Sequence, residues 1–286
     1  MNTYYQHMES ELLKGARAMP IFYINDIRTT VETRGDAEHP PLILLHGGVT
    51  GNLGLHYWEL HNIADRLADE FFVVTYDRRG HGETPFIGTF DDIAWDVVGV
   101  MDALGLEKAS VLGLSAGSYV SGRAAILAPE RFTSLIFTAV HSHLEGKTPL
   151  YQWAERNHID LTKFDPRKVE GAMYSPSTPD QIKRPYRKLI SQYAKRPFPN
   201  KEDTQRAYEI MGRFDNREGF KNLNIPTLII AGLDDQLFPI ETQREVHKLI
   251  QGSQMVELPD TGHNIWEEKP EEALSAVRKF LHCVLS

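Results

Sequence analysis

The chain has 286 residues, 41% of them hydrophobic and 24% charged, and this length and composition predict a globular protein with a sizeable core. Its formal net charge of −8 argues against nucleic acid and acidic membrane surfaces as partners. The single cysteine, Cys283, excludes an internal disulfide, and no apolar run is long enough for a transmembrane helix. Because residues 1–20 include Glu9 and Glu11 and lack the apolar stretch of a signal peptide, we expect a cytoplasmic protein.

After an N-terminal segment, 1–19, short apolar runs alternate with segments of helical spacing. The first two runs, 21–24 and 27–33, are joined by Asn25-Asp26 and predict a hairpin. The run 42–45 is continuously apolar, which is typical of a strand covered on both faces. We predict strands at 42–45, 71–76, 109–114, 134–140, 227–230 and 255–258, and helices at 58–68, 90–104, 116–127, 240–250 and 270–285. This alternation predicts a mostly parallel, doubly wound α/β sheet with helices on both faces.

Between about 141 and 220 the alternation stops. This stretch is rich in aromatic residues and proline and contains no clear buried strand. We interpret 141–220 as a helical cap inserted into a core formed by 20–140 and 221–286. His141 and His143 stand at its beginning, where packing is the expected role for both and lining of the pocket is the alternative.

A serine-centred motif follows the predicted strand 109–114. In Gly113-Leu114-Ser115-Ala116-Gly117, the pattern Gly-x-Ser-x-Gly predicts a sharp turn from strand to helix that exposes the hydroxyl of a strained serine. Glycines two residues to either side are expected because a Cβ there would collide with a neighbouring strand or the helix. The pattern occurs by chance about 0.1 times in a chain of this length, so its meaning depends on the other residues.

A serine hydroxyl needs a nearby base, usually a histidine oriented by a carboxylate. In an open parallel sheet such groups follow the carboxyl ends of strands, because these ends share one edge. Asp234 and Asp235 follow the predicted strand 227–230, and His263 follows 255–258. We therefore expect Ser115, an aspartate and His263 to meet at one edge of the sheet.

From about residue 20 to its end, the chain resembles the α/β-hydrolase superfamily in its lidded form. Five stretches carry this resemblance in order: His46-Gly47-Gly48-Val49, Asp77-Arg78-Arg79-Gly80-His81-Gly82, the serine motif, Gly232-Leu233-Asp234-Asp235 with Pro239, and Gly262-His263 with Glu268 and Pro270. The resemblance implies a catalytic triad of Ser115, Asp235 and His263.

The family pattern Gly-x-x-Asp-x-x-x-Pro falls on Asp235, whereas Asp234 is expected to shape the turn or face solvent. A structural role is expected for His46 and His81. One donor to an oxyanion is expected to be the backbone N–H of Ala116, at the start of a helix. By resemblance, the other is Gly48, with Val49 as the alternative.

We therefore predict a serine hydrolase that cleaves a carboxylic ester or lactone of a small, partly apolar substrate through an acyl-enzyme, without a cofactor or metal. Serine at position 115 disfavours the epoxide hydrolases and haloalkane dehalogenases, which need a carboxylate nucleophile. Three alternatives stay open: a C–C bond hydrolase acting on a diketone-like substrate, a cofactor-free oxygenase, and a non-catalytic ligand receptor. Homo-oligomerisation is left open as well.

Overall fold

The computed structural model describes residues 21–160, 166–197 and 199–286, so the predicted segment 1–19 lies outside the described residues. Within them, eight strands form one sheet in the order β1-β2-β4-β3-β5-β6-β7-β8. Their bounds are β1 (Ile21–Ile24), β2 (Ile27–Arg34), β3 (Pro41–Leu45), β4 (Phe72–Tyr76), β5 (Ala109–Leu114), β6 (Phe132–Thr138), β7 (Thr227–Gly232) and β8 (Gln254–Leu258). The pairs β1/β2 and β2/β4 are antiparallel, and every other pair is parallel.

The described helices connect the strands and cover both faces of the sheet. They are α1 (Ile63–Ala68), α2 (Phe90–Ala103), α3 (Ala116–Leu127), α4 (Pro149–Arg156), α5 (Pro166–Met173), α6 (Asp180–Tyr193), α7 (Lys201–Met211), α8 (Arg217–Asn222), α9 (Ile240–Leu249), α10 (Ile265–Glu268) and α11 (Pro270–Leu285). Thr89 caps α2 by accepting from the amide of Asp92, whose side chain accepts in return from the Thr89 amide.

Successive residues of a central strand belong to two different hydrophobic clusters. In β3, Leu42 and Leu44 pack into one cluster, whereas Ile43 and Leu45 pack into the other. Because successive side chains of a strand point to opposite faces, the two clusters cover opposite faces of the sheet. Helices α1 and α11 contribute to the first cluster, and α2 and α3 contribute to the second. The predicted doubly wound α/β fold is confirmed.

Two predicted elements differ from the structure. The helix predicted at 58–68 is wrong in its first half: 54–62 forms 3-10 turns, and only α1 is α-helical. The cause is a break at His61 and Asn62, whose φ angles of 49° and 55° are left-handed. The strand predicted at 134–140 is shifted, because Ala139, with a φ of 60°, ends β6 at Thr138.

The residues between β6 and β7 hold α4 to α8, and we refer to 141–220 as the insertion. Its described part contains no strand, and an isolated bridge joins His143 to Asp215. Helix α6 packs against the 3-10 segment 54–62 and against α10, while α8 packs against α3 and α9. The insertion is therefore anchored on both sides of the carboxyl ends of the central strands.

Candidate active site

Ser115 occupies a sharp turn between β5 and α3, with φ 54° and ψ −118°. Its amide donates to the carbonyl of Thr138 at 2.8 Å, which ties the turn to β6. A Cβ on Gly113 would lie 2.5 Å from the carbonyl oxygen of Gly117, and one on Gly117 would lie 2.4 Å from that of Leu45. The two glycines are therefore required by the close approach of helix and strand, and the strained conformation of Ser115 follows from that packing.

The loops after β7 and β8 bring a carboxylate and an imidazole together. His263 Nδ1 lies 3.0 Å from Asp235 Oδ2, and both residues are buried. Because an ionised carboxylate only accepts hydrogen bonds, Nδ1 carries the proton and Nε2 is left as an acceptor. The ring of Phe238 stacks on that of His263 at 4.9 Å between centroids and fixes the plane of the imidazole.

Asp234 has a different partner. Its Oδ2 accepts from the hydroxyl of Ser175 at 2.5 Å, so it connects the loop after β7 to the insertion. The structure thus places the imidazole of His263 on Asp235 and not on Asp234.

Ser115 and His263 line the same pocket, which has a volume of about 260 Å³. The loop after β3, the 3-10 segment 54–62 and the insertion supply the other walls. The described lining contains no Lys, Arg, Asp or Glu; it consists of His46, Gly47, Gly48, Thr50, Gly51, Asn52, Leu53, Gly54, Tyr57, His81, Leu114, Met173, Tyr186, Ile190 and Asn264, besides Ser115 and His263. The pocket is therefore neutral in its side chains apart from the protonation of histidine.

Backbone amides next to Ser115 are available as hydrogen-bond donors. Gly48, with a φ of 80°, lines the pocket, and Ala116 is the first residue of α3. A Cβ on Gly47 would lie 3.2 Å from the Cβ of Ser115, so the loop after β3 lies directly against the serine. Within the part of the chain that the structure describes, the amides of Gly48 and Ala116 donate to no protein acceptor.

His46 and His81 support this loop as buried, neutral side chains. His46 Nδ1 donates to the carbonyl of Gly47 at 2.8 Å, and its Nε2 accepts from the amide of Arg78 at 3.2 Å. Burial lowers the pKa of His46 well below its ordinary value, and burial has the same effect on the pKa of His81. His141 does not line the pocket; its ring packs against Phe238 at 4.4 Å, and burial lowers its pKa to about 4.

Several pocket residues could not be recognised from the sequence. Tyr57, Met173, Tyr186 and Ile190 reach the pocket from the 3-10 segment and the insertion, whose helices carry no recognisable motif. Arg78 belongs to a motif that the sequence did reveal, but the motif did not indicate its partners. Its side chain contacts the loop after β3.

The family model described as alpha/beta hydrolase fold matches residues 40–270. That match spans most of the sequence and agrees with the sheet order, the serine turn and the helices on both faces. The chain belongs to the α/β-hydrolase family.

Curated relatives cover nearly the whole chain. Over 265 residues it is 27% identical to a pimeloyl-[acyl-carrier protein] methyl ester esterase of Aliivibrio salmonicida, covering 88% of this chain and 96% of that protein. It is also 27% identical over 253 residues to a 3-oxoadipate enol-lactonase of Acinetobacter baylyi, covering 86% of this chain and 91% of the lactonase.

Solved structures share the fold. A thermophilic esterase from Thermogutta terrifontis superimposes with a TM-score of 0.72 at 25% identity, covering 95% of this chain and 100% of that one. The 2-hydroxy-6-oxo-6-phenylhexa-2,4-dienoate hydrolase of a Rhodococcus strain superimposes with a TM-score of 0.75 at 21% identity, covering 93% and 99%. Among the described residues, no helix combines the length and apolar character needed to cross a bilayer.

Proposed function

We propose that this protein is a serine hydrolase that cleaves a neutral carboxylic ester or lactone, with Ser115, His263 and Asp235 as its catalytic triad. One observation carries the proposal: Ser115 and His263 line one pocket, and the imidazole of His263 is held by the buried carboxylate of Asp235. A strained serine, a base and an orienting acid are the groups that nucleophilic acyl transfer needs.

In the proposed reaction, Ser115 Oγ attacks the carbonyl carbon while His263 Nε2 takes its proton. The carbon–oxygen bond to the alcohol then breaks, and the same proton passes from His263 to the departing alkoxide. Water attacks the acyl-serine after giving a proton to His263, and this proton returns to Ser115 as the carboxylic acid leaves. The net reaction consumes one ester and one water and yields one acid and one alcohol.

Each attack places a negative charge on the former carbonyl oxygen. We assign its stabilisation to the amides of Gly48 and Ala116, with Val49 as the alternative to Gly48. The free amides and the N-terminus of α3 support this assignment.

The walls of the pocket indicate the class of substrate. An anionic substrate would need a cation to replace its lost hydration, and the described lining contains no Lys or Arg. Tyr186, Ile190 and Met173 give one side an apolar surface from the insertion, which supports its role as a cap over the site. The volume of about 260 Å³ fits a small acyl group or lactone ring.

The named activities of the relatives agree with ester chemistry. One is a methyl ester esterase and another an enol-lactonase, and both match this chain over most of its length. Their substrates differ, so they support the reaction class and leave the acyl group to be measured.

The experiment uses a panel of p-nitrophenyl esters and lactones, together with a fluorophosphonate that labels activated serines. We expect turnover with the wild type and a label on Ser115 in mass spectrometry. Ser115→Ala is expected to abolish both while leaving the circular dichroism spectrum unchanged, because only the nucleophile is removed. Turnover retained by Ser115→Ala would contradict the proposal.

The same experiment separates the alternative functions. If the products are a carboxylate and an alcohol, they support the esterase or lactonase reaction. If a vinylogous diketone yields a carboxylate and a ketone, the reaction is C–C bond hydrolysis. Oxygen consumption indicates an oxygenase, and tight binding without turnover indicates a receptor.

A further inference from the structure

Arg78 is a fully buried arginine whose partners are backbone carbonyls. Only 1% of its surface is exposed, and it forms no ion pair with a carboxylate among the described residues. Its Nε donates to the carbonyl of His46 at 3.2 Å, and its Nη2 donates to those of Gly47 and Gly48 at 3.0 and 2.5 Å. One guanidinium therefore holds three consecutive carbonyls of the loop after β3.

These bonds fix the direction of the loop amides. In a planar trans peptide the C=O and N–H groups point in opposite directions. Holding the carbonyl of Gly47 towards Arg78 turns the amide of Gly48 away from Arg78, and holding the carbonyl of Gly48 does the same for the amide of Val49. Gly48 lines the pocket, and both candidates for the second oxyanion donor are therefore oriented by one side chain.

The neighbouring arginine, Arg79, differs from Arg78 because it is paired with a carboxylate. Arg79 forms a two-point ion pair with Asp96, at 2.5 and 2.8 Å, and its charge is balanced there. The carboxylate of Asp77, next to Arg78 in sequence, is bound to Arg196 and the amide of Leu55 instead. The positive charge of Arg78 therefore faces the carbonyl oxygens of the loop, the negative ends of their peptide dipoles.

We propose that Arg78 is a positioning residue for the oxyanion hole: it aims the amides of Gly48 and Val49 and places a positive charge behind them. This inference rests on the proposed function. Burial lowers the pKa of Arg78 to about 10, which leaves the guanidinium charged at neutral pH. Because the group does not line the pocket, it acts through the peptide units and not on the substrate itself.

The test compares Arg78→Lys and Arg78→Met with Arg79→Lys as the matched control. Turnover of p-nitrophenyl butyrate is measured per phosphonate-reactive site, so that a partly folded preparation does not distort the rates. An aryl trifluoromethyl ketone, which forms a tetrahedral adduct with the serine, reports on the oxyanion directly. Thermal unfolding of each variant records the purely structural effect.

We expect kcat to fall about 10-fold in Arg78→Lys, which keeps the charge but loses the planar fork, and about 100-fold in Arg78→Met. The affinity for the trifluoromethyl ketone should fall by the same factors, while KM changes by less than about threefold. Arg79→Lys should lower the melting temperature while leaving kcat and ketone affinity within about threefold of the wild type.

Wild-type turnover and labelling of Ser115 test the proposed function separately from this inference. If the wild type is active and the Arg78 variants keep its kcat and ketone affinity, the inference is wrong. The same holds if Arg79→Lys loses both as strongly as Arg78→Lys does. A wild type that neither turns over nor becomes labelled would overturn both.

Discussion

The carboxylate of Asp235 accepts three hydrogen bonds, and these bonds fix its orientation towards His263. Its Oδ1 accepts from the amides of Leu237 and Phe238 at 2.9 and 2.8 Å, and its Oδ2 faces His263 Nδ1. Donors on both oxygens leave the carboxylate one orientation. The imidazole is thereby held in the tautomer that leaves Nε2 as an acceptor, which the proposed proton transfer from Ser115 requires.

Replacing Asp235 with asparagine reverses that arrangement, because an amide NH2 group on the Oδ2 side would donate to Nδ1. We expect Asp235→Asn to lower kcat by about 10⁴-fold, as in comparable triads, with little change in fold. Asp234→Asn is the matched control, since the carboxylate of Asp234 accepts from Ser175 in the insertion and not from His263, and its kcat should stay within about threefold. Steady-state kinetics on the best ester decides this, and a larger loss in Asp234→Asn would transfer the acid role to Asp234.

At the scale of elements, one arginine ties the insertion to the core. Arg196, which follows α6, donates to the carbonyls of Asn52 and Leu53 at 2.9 and 3.0 Å and to Asp77 at 2.5 Å. Asp77 is fully buried, and burial raises its pKa while Arg196 opposes the shift. Asn52 and Leu53 line the pocket, so this contact joins the insertion to the pocket wall.

Arg196→Met leaves the buried carboxylate of Asp77 without its cation. We expect a loss of about 3–5 kcal/mol in the free energy of unfolding, measured by urea denaturation, and a higher KM because the pocket wall loosens. Arg196→Met with Asp77→Asn should regain part of the stability while KM remains high. Arg244→Met, which breaks an exposed pair with Glu257, should cost less than about 1 kcal/mol and leave KM unchanged. Equal stability losses in Arg196→Met and Arg244→Met would refute the structural role of Arg196.

The strands could be predicted from the sequence because each carries a local signal. Short, mainly apolar runs located β3, β4, β5, β7 and β8 to within one or two residues, and Asn25-Asp26 located the hairpin between β1 and β2. The break at His61 and Asn62 was not predicted, because no glycine or proline marks it in the sequence. The helices of the insertion do not alternate with predicted strands, so their order and contacts could not be predicted from the sequence pattern.

At the scale of the whole molecule, the sheet brings together residues that are far apart in the chain. Ser115, Asp235 and His263 follow β5, β7 and β8, and parallel strands place these ends at one edge, so their approximate meeting place followed from topology. The contacts of Arg78 and Arg196 did not follow, because they depend on side-chain reach between loops. Sequence therefore predicts the proposed reacting groups better than the groups that hold them.

The buried histidines also make the stability of the whole fold depend on pH. Burial lowers the pKa of His46, His81 and His141, so each is neutral in the folded chain at a pH where the unfolded chain binds a proton. A group whose folded pKa is depressed binds fewer protons in the native state, and stability is therefore lost as the pH falls below about 6.5. Glu267 acts in the opposite direction, because burial raises its pKa.

His141 isolates this effect, because it does not line the pocket and its folded pKa is about 4. Its surroundings include Asp235, which raises its pKa, and His143 and His263, which lower it, but burial is the largest influence. From an unfolded pKa of about 6.5, a single such histidine removes about 2 kcal/mol of stability between pH 7 and pH 5. The variant His141→Phe keeps a ring packed on Phe238. Between pH 7 and pH 5, we expect its free energy of unfolding, measured in urea, to fall by about 2 kcal/mol less than that of the wild type.

The control for the His141 experiment is His158→Asn, which removes an exposed histidine and keeps a side chain that tolerates the left-handed φ of 55° at that position. Its stability should change with pH as the wild type does, because the buried side chains of His46, His81 and His141 stay in place. If His141→Phe also follows the wild-type pH dependence, the proton taken up on acid unfolding belongs to other groups.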